Sequence, residues 1–293
     1  HGQLAAAEIG AVQLFHGGRE ARFVKTRREL PMGPSVVLED AFYRGPYREI
    51  REEEIGEVIA AFGQAARRAR EAGFDAVQIH GAHGYLFSQF LSPFTNRRKD
   101  DWGGPLENRL RLHQDVYSTI RKIVGSDYPV FIKLGIQDGF AGGLALAEGM
   151  RAAEILADTG YDALEISSGV RGEQYEGTEY RTKINQAARE GYFRSWARDI
   201  KSRVRVPVMA VGGLRSVAMM ERMIQNGEAD FISLCRPLIA QPALIHIWQL
   251  APHTKPRCVY CNKCLEALHH GIPLNCVAFA AKAETGPDER KQT

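Results

Sequence analysis

The sequence has no apolar run near the roughly 18 residues needed to cross a bilayer. It has no HExxH helix and no GxGxxG after an early strand. Charge of one sign is scarce in excess: the formal net charge is +3, and basic residues alternate with acidic ones, as in "REIREEEIGEV". That excludes a nucleic-acid patch and suits a solvated helix start. Neither nucleic acid nor a membrane is therefore an expected partner. Cysteine is missing from the first 234 residues. The opening "HGQLAAAEIG" shows neither an initiating Met nor a charged leader, so a processed or N-terminally shortened cytoplasmic chain is expected.

What is present is the composition of a globular protein, 44% hydrophobic and 25% charged over 293 residues. Short apolar runs alternate with amphipathic stretches. Strands are expected at 10–16, 75–82, 129–136, 161–169, 206–213 and 229–237, with a weaker extended segment at 36–40. Helices are expected at 52–74, 105–124, 145–159, 188–202 and 216–227. Near-continuous apolar strands covered by helices indicate a parallel α/β sheet. The strands end in polar, Gly-rich segments, "IHGAHG", "EISSG", "AVGG" and "SLCRP", where an eight-fold (β/α)8 TIM barrel carries its active site. Six strands are legible where the barrel needs eight. We expect a barrel over 1–250 lacking its first two β/α units, followed by a cysteine-rich segment at 251–293.

The stretch "IHGAHGYLFSQFLSP" places His80 at a strand end, with His83 and Tyr85 in the following loop. Three roles are open for the histidines. They could be metal ligands, which need further ligands nearby, satisfied core residues, or hydrogen-bond donors that polarise a substrate oxygen. A neighbouring phenol can act as a general acid. Lys133, inside the apolar strand "VFIKLG", is a functional candidate because burying an unpaired ammonium is costly.

Residues 72–111 resemble the signature of the Old Yellow Enzyme family of FMN-dependent ene-reductases. They supply His80, His83, Tyr85, Phe90 to Pro93, Asn96, Arg98, Asp100, Gly103, Gly104 and Glu107 to Arg109, with Trp102 where the family usually has Tyr. The resemblance implies FMN as cofactor, NAD(P)H as co-substrate and a small-molecule alkene as substrate. Gln13 would hydrogen-bond the flavin pyrimidine, and Lys133 would stand beside flavin N1 and O2. Gly212, Gly213 and Arg236 would grip the phosphate, with Cys235 where the family usually has Gly. His80 and His83 would hold the substrate oxygen, and Tyr85 would donate the proton.

"CVYCNKCLEALHHGIPLNC" presents Cys258, Cys261, Cys264 and Cys276 as Cys-x2-Cys-x2-Cys-x11-Cys. That spacing suits a [4Fe–4S] cluster, with zinc or free thiols as alternatives. It resembles the tail of the 2,4-dienoyl-CoA reductase and trimethylamine dehydrogenase branch. His269 and His270 read as surface residues. Two further functions stay open: an inactive, flavin-poor barrel fragment, and a metal-dependent barrel lyase or hydrolase using His80 and His83. Loop shape, at Gly18 to Ser35 and Ser168 to Tyr192, is expected to set the substrate. The basic "REARFVKTRREL" is either a solvated loop or a grip for an anionic group such as a cofactor phosphate or CoA. A homo-oligomer is compatible with all of this.

Overall fold

The computed structural model describes residues 9–21, 30–40, 43, 45–172 and 180–278. Most of the basic stretch at 19–30, the middle of the 168–192 loop and the end of the cysteine-rich segment lie outside these residues.

Six parallel strands follow one another in chain order: β1 (Ala11–Leu14), β4 (Ala76–Gly81), β5 (Val130–Gly135), β6 (Ala163–Ser167), β7 (Val208–Ala210) and β8 (Phe231–Ile232). Each pairs only with its sequence neighbours in this set, as in Gln13 with Gln78, His80 with Lys133 and Lys133 with Glu165. Among the described residues no ladder joins β1 to β8, so the sheet is an open part-barrel. Phe15 and Phe231, beside those two edges, stay 60% and 55% exposed. A separate two-stranded pair, β2 (Met32–Gly33) with β3 (Arg48–Glu49), lies in the β1–β4 connection.

The outer face of the sheet carries the core. Val77, Ile79, Val130, Ile132, Leu134, Leu164, Ile166 and Val208 are fully buried against the helices. Each such side chain contributes roughly 1.5–3 kcal/mol by leaving water. The alternate residues, Gln13, Gln78, His80, Lys133, Glu165 and Ser167, point to the concave face by the two-residue period of a strand. The long helices α1 (Glu52–Glu71) and α3 (Leu106–Val124) present stripes to this core, Ile55, Val58, Phe62 and Ala66 on one and Leu110, Val116 and Ile120 on the other. They approach closely at Gly63, where a Cβ would sit 2.8 Å from both Thr119 Cγ2 and Ile123 Cδ1. Helix α2 (Leu86–Leu91) follows β4, α4 (Leu146–Thr159) follows β5, and α5 (Arg194–Lys201), α6 (Val217–Gln225), α7 (Arg236–Ala240), α8 (Leu244–Leu250) and α9 (Lys263–His269) complete the chain.

Three expectations change. The extended segment at 36–40 is a turn at Leu38–Glu39. Side chains satisfy its backbone in place of a ladder: Tyr47 Oη accepts from Val37 N at 2.8 Å, and Asp40 Oδ1 from Tyr43 N at 2.9 Å. The helix expected at 188–202 starts at Arg194, because Gly191 adopts φ +65° and a 3-10 turn, Ala187–Arg189, precedes it. The last two strands are shorter than expected. Gly212 and Gly213, at φ +116° and +70°, end the seventh barrel strand, and Pro237 in the first turn of α7 starts a helix inside the expected 229–237 strand.

His113 on α3 is fully buried, and neither ring nitrogen has a hydrogen-bond partner. Burial pushes its pKa down to about 3. An unsatisfied buried polar group costs roughly 1–3 kcal/mol, so His113→Leu should stabilise the protein by about that amount in urea melts at pH 7. A folded-state pKa below the free value means the unfolded chain binds the proton more readily. The wild type should therefore lose stability as pH falls from 6.5 toward 3, and the variant should lose less.

Candidate active site

The nine residues expected to bind substrate or cofactor, Gln13, His80, His83, Tyr85, Lys133, Gly212, Gly213, Cys235 and Arg236, line a single cavity of about 290 Å³. It opens at the C-terminal ends of the strands. The sheet places them: Gln13 on β1, His80 on β4, Lys133 on β5, the glycines just after β7, and Cys235 and Arg236 after β8.

His80 is 7% exposed, and its ring stands 4.9 Å from that of His83 and 5.0 Å from that of Tyr85. Desolvation, with the Lys133 charge nearby, pushes its pKa down to about 3. Burial and Lys133 hold His83 well below its usual value as well. Both rings are neutral at pH 7, which makes them hydrogen-bonding groups and not a cationic pair. His80 Nδ1 accepts from Ala82 N at 3.3 Å, so its proton is on Nε2. His83 Nε2 lies 2.8 Å from Ser167 Oγ. Its backbone has φ 63°, a costly conformation for a non-glycine residue. The β6 loop holds it there: His83 N donates to Ser168 O at 3.0 Å, and Arg171 Nη2 donates to His83 O at 3.0 Å. Among the described residues no group of three or more His, Cys, Asp or Glu gathers as metal ligands, so nothing joins the two histidines in a metal site.

Lys133 Nζ pairs with Glu165 Oε1 at 2.9 Å. At the opposite rim the Tyr192 ring packs on the glycine turn, where a Cβ would lie 2.9 Å from it at Gly212 and 2.7 Å at Gly213. Arg236 Nη1 donates to Asn262 Oδ1 at 2.7 Å and to Arg181 O at 2.9 Å, and its guanidinium lies over the Tyr260 ring at 4.6 Å. The donor set fits FMN. Carboxamide and ammonium groups face one end, and a side-chain-free turn with a guanidinium faces the other.

Other residues of the 72–111 stretch brace loops and do not line the cavity. Asn96 Nδ2 donates to Phe90 O at 2.8 Å and Trp102 O at 2.7 Å. Arg98 donates to Ile50 O at 2.8 Å and pairs with Asp100. Arg109, 3% exposed, donates to Leu91 O and pairs with Glu148.

Cys258, Cys261, Cys264 and Cys276 line a second cavity of about 360 Å³, sharing Arg236 and Tyr260 with the first. The thiols match a cluster in number, but among the described residues they do not gather as a metal-ligand set. Burial raises the pKa of Cys258 and Cys264, so a bound cation would be needed to hold them as thiolates. Sequence reasoning did not single out Gln78, Glu165, Ser167 or Tyr260.

Residues 6–249 match the NADH:flavin oxidoreductase / NADH oxidase family. The chain belongs to that family. It is 38% identical over 232 residues to an NADH oxidase of Thermoanaerobacter brockii, covering 79% of this chain and 35% of that protein. It is 33% identical over 285 residues to a metal reductase of Desulforamulus reducens, covering 95% and 41%. That match takes in most of the cysteine-rich segment. Among solved structures, a 2-naphthoyl-CoA reductase in complex with 2-naphthoyl-CoA superposes with a TM-score of 0.81 at 27% identity, covering 91% of this chain and 42% of that one. The chain thus spans about two fifths or less of these relatives.

The depressed histidine pKa values predict a pH dependence. Substrate kcat/KM should show no acid limb near pH 6.5 from His80 or His83, since burial and the Lys133 charge hold both pKa values well below that pH. A pH–rate profile of the wild type against the His80→Asn variant checks this: both should run parallel between pH 5 and 8.

Proposed function

We propose that this chain is the flavin-binding barrel of an NAD(P)H-dependent oxidoreductase that reduces activated C=C bonds of an enone, enoyl-CoA or similar substrate. The observation that carries the reading is the convergence of all nine residues, drawn from separate strands and loops, on one cavity. Similarity to an acyl-CoA reductase supports an acyl-CoA or other conjugated carbonyl substrate.

When bound, FMN would accept a hydride from NAD(P)H and return one to the β-carbon of the substrate. The protein's own groups do the rest. His80 directs Nε2–H toward the carbonyl oxygen and, with His83, stabilises the negative charge that grows there. Neutral imidazoles donate without handing over a proton, which leaves protonation of the α-carbon to Tyr85. Its ring is fixed edge-on between Phe15, at 5.4 Å, and His80. Lys133 would hold the pyrimidine end of the cofactor, next to Gln13. Arg236 and the backbone at Gly212, Gly213 and Cys235 would hold the phosphate. If a [4Fe–4S] cluster forms, Cys258, Cys261, Cys264 and Cys276 would hold it, and it would supply one-electron chemistry. Tyr260 and Arg236 form the shared wall between the two cavities.

Tyr85→Phe tests the assignment, because it removes one proton donor and nothing else. Reduction of bound FMN by NAD(P)H should proceed within about twofold of wild type. Alkene reduction should fall by roughly 100-fold or more, the usual scale of general acid catalysis. Equal loss in both half-reactions, or in neither, would contradict the role given to Tyr85. Iron and zinc analysis of anaerobically purified protein tests the cysteine site: about four irons per chain support the cluster, and stoichiometric zinc contradicts it.

A further inference from the structure

Gln13 and Lys133, which line the cavity, are joined through Gln78 and Glu165, two residues that the steps above do not use. Gln13 Nε2 lies 2.5 Å from Gln78 Oε1. Gln78 Nε2 lies 2.9 Å from Glu165 Oε2, and Glu165 Oε1 lies 2.9 Å from Lys133 Nζ. Glu165 is 5% exposed. This hydrogen-bonded chain crosses four neighbouring strands, β1, β4, β5 and β6, on the concave face.

Its direction is dictated by chemistry. A carboxylate only accepts hydrogen bonds. Gln78 must therefore turn its NH2 toward Glu165, which turns its carbonyl toward Gln13. Gln13 must then spend one N–H on Gln78. What remains for a ligand is the Gln13 carbonyl and its second N–H, a donor–acceptor pair suited to an imide edge. The other oxygen of Glu165 faces the Lys133 ammonium. One charge thus fixes the polarity of Gln13 and offsets that of Lys133.

We propose that Glu165 is a positioning residue of the cofactor cavity: it orients Gln13 through Gln78, and through Lys133 it limits how strongly the cavity stabilises negative charge on a bound flavin ring. This rests on the FMN reading given above. A counter-charge at this place keeps reduced cofactor from becoming too stable to pass hydride on.

Sulfite is the probe. It forms a sulfur–nitrogen bond at N5 of oxidised flavin, and the electron pair moves to the N1–C2=O end. No other reactant is needed, and the adduct's dissociation constant reports positive charge beside that end. Glu165→Gln keeps the shape and removes the charge, while Glu165→Asp keeps the charge. In FMN-loaded protein, Glu165→Gln should bind sulfite about tenfold or more tightly than wild type, the effect of one charge a few ångström away in a partly solvated site. Its flavin midpoint potential should rise in step. Glu165→Asp should stay within about threefold of wild type. Equal sulfite affinity in wild type and Glu165→Gln, with FMN bound to both, overturns this inference alone. So does an equal shift in the Asp variant, which would mark a merely structural role. A wild-type protein that takes up no FMN overturns the inference together with the FMN reading.

Discussion

The constraint on which the site depends is the two-residue period of a strand whose two faces meet different surroundings. On β4, β5 and β6 one set of residues, Val77 and Ile79, Val130 and Ile132, Leu164 and Ile166, is sealed under the helices. The intervening set carries the polar side chains Gln78 and His80, Lys133, Glu165 and Ser167, with Phe131 paired beside Gln78. Parallel pairing then brings this second set together, with His80 beside Lys133 and Lys133 beside Glu165. Slipping one of these strands by one residue would bury polar groups under the helices, Lys133 on β5 or Glu165 on β6 among them, and expose the apolar set. The packing that stabilises the sheet is thus also what fixes the chemistry on its concave face.

That coupling explains what could be read before the structure. The strand–helix alternation, five of the nine described helices, all six strands of the sheet and the strand-end location of the cavity were visible, because apolar periodicity reports the face toward the helices. The extended segment at 36–40 misled, since apolar Val36 and Val37 lead into a turn at Leu38–Glu39 whose flanks bond to Tyr47 and Asp40. The late start of α5 followed from the left-handed Gly191, a conformation composition does not announce. Glu165, Gln78 and Ser167 did carry a signal, a polar residue at every second position of a buried strand. Their partners lie 32 to 87 positions away in the chain, brought close by strand register and, for Ser167, by the loop that holds His83. Much of the family-like stretch at 72–111 proved to brace loops, as Asn96, Arg98 and Arg109 do. A motif can thus be specific while only a few of its residues face the cavity.

The two cavities meet at a residue in an uncommon conformation. Tyr260 lies between Cys258 and Cys261 at φ 55°, is 2% exposed, and donates its hydroxyl to Leu214 O at 2.9 Å, just beyond the glycine turn. Left-handed backbone at a bulky residue costs of order 1 kcal/mol or more and persists only where its surroundings impose it. Here the Arg236 guanidinium and the core formed by Ile184, Ala240 and Cys258 do so. The cysteine-bearing loop is thereby tied to the rim of the first cavity.

Strand register brings the residues of the proposed flavin site together on the concave face. The most direct measurement is an anaerobic titration of the purified protein with FMN, followed by visible spectroscopy, then by addition of NADH or NADPH. Saturable uptake near one FMN per chain is expected, weakened by Lys133→Met and Arg236→Ala, with bleaching of the flavin band by one of the two nucleotides. No uptake by the wild type, or uptake indifferent to both substitutions, would contradict it.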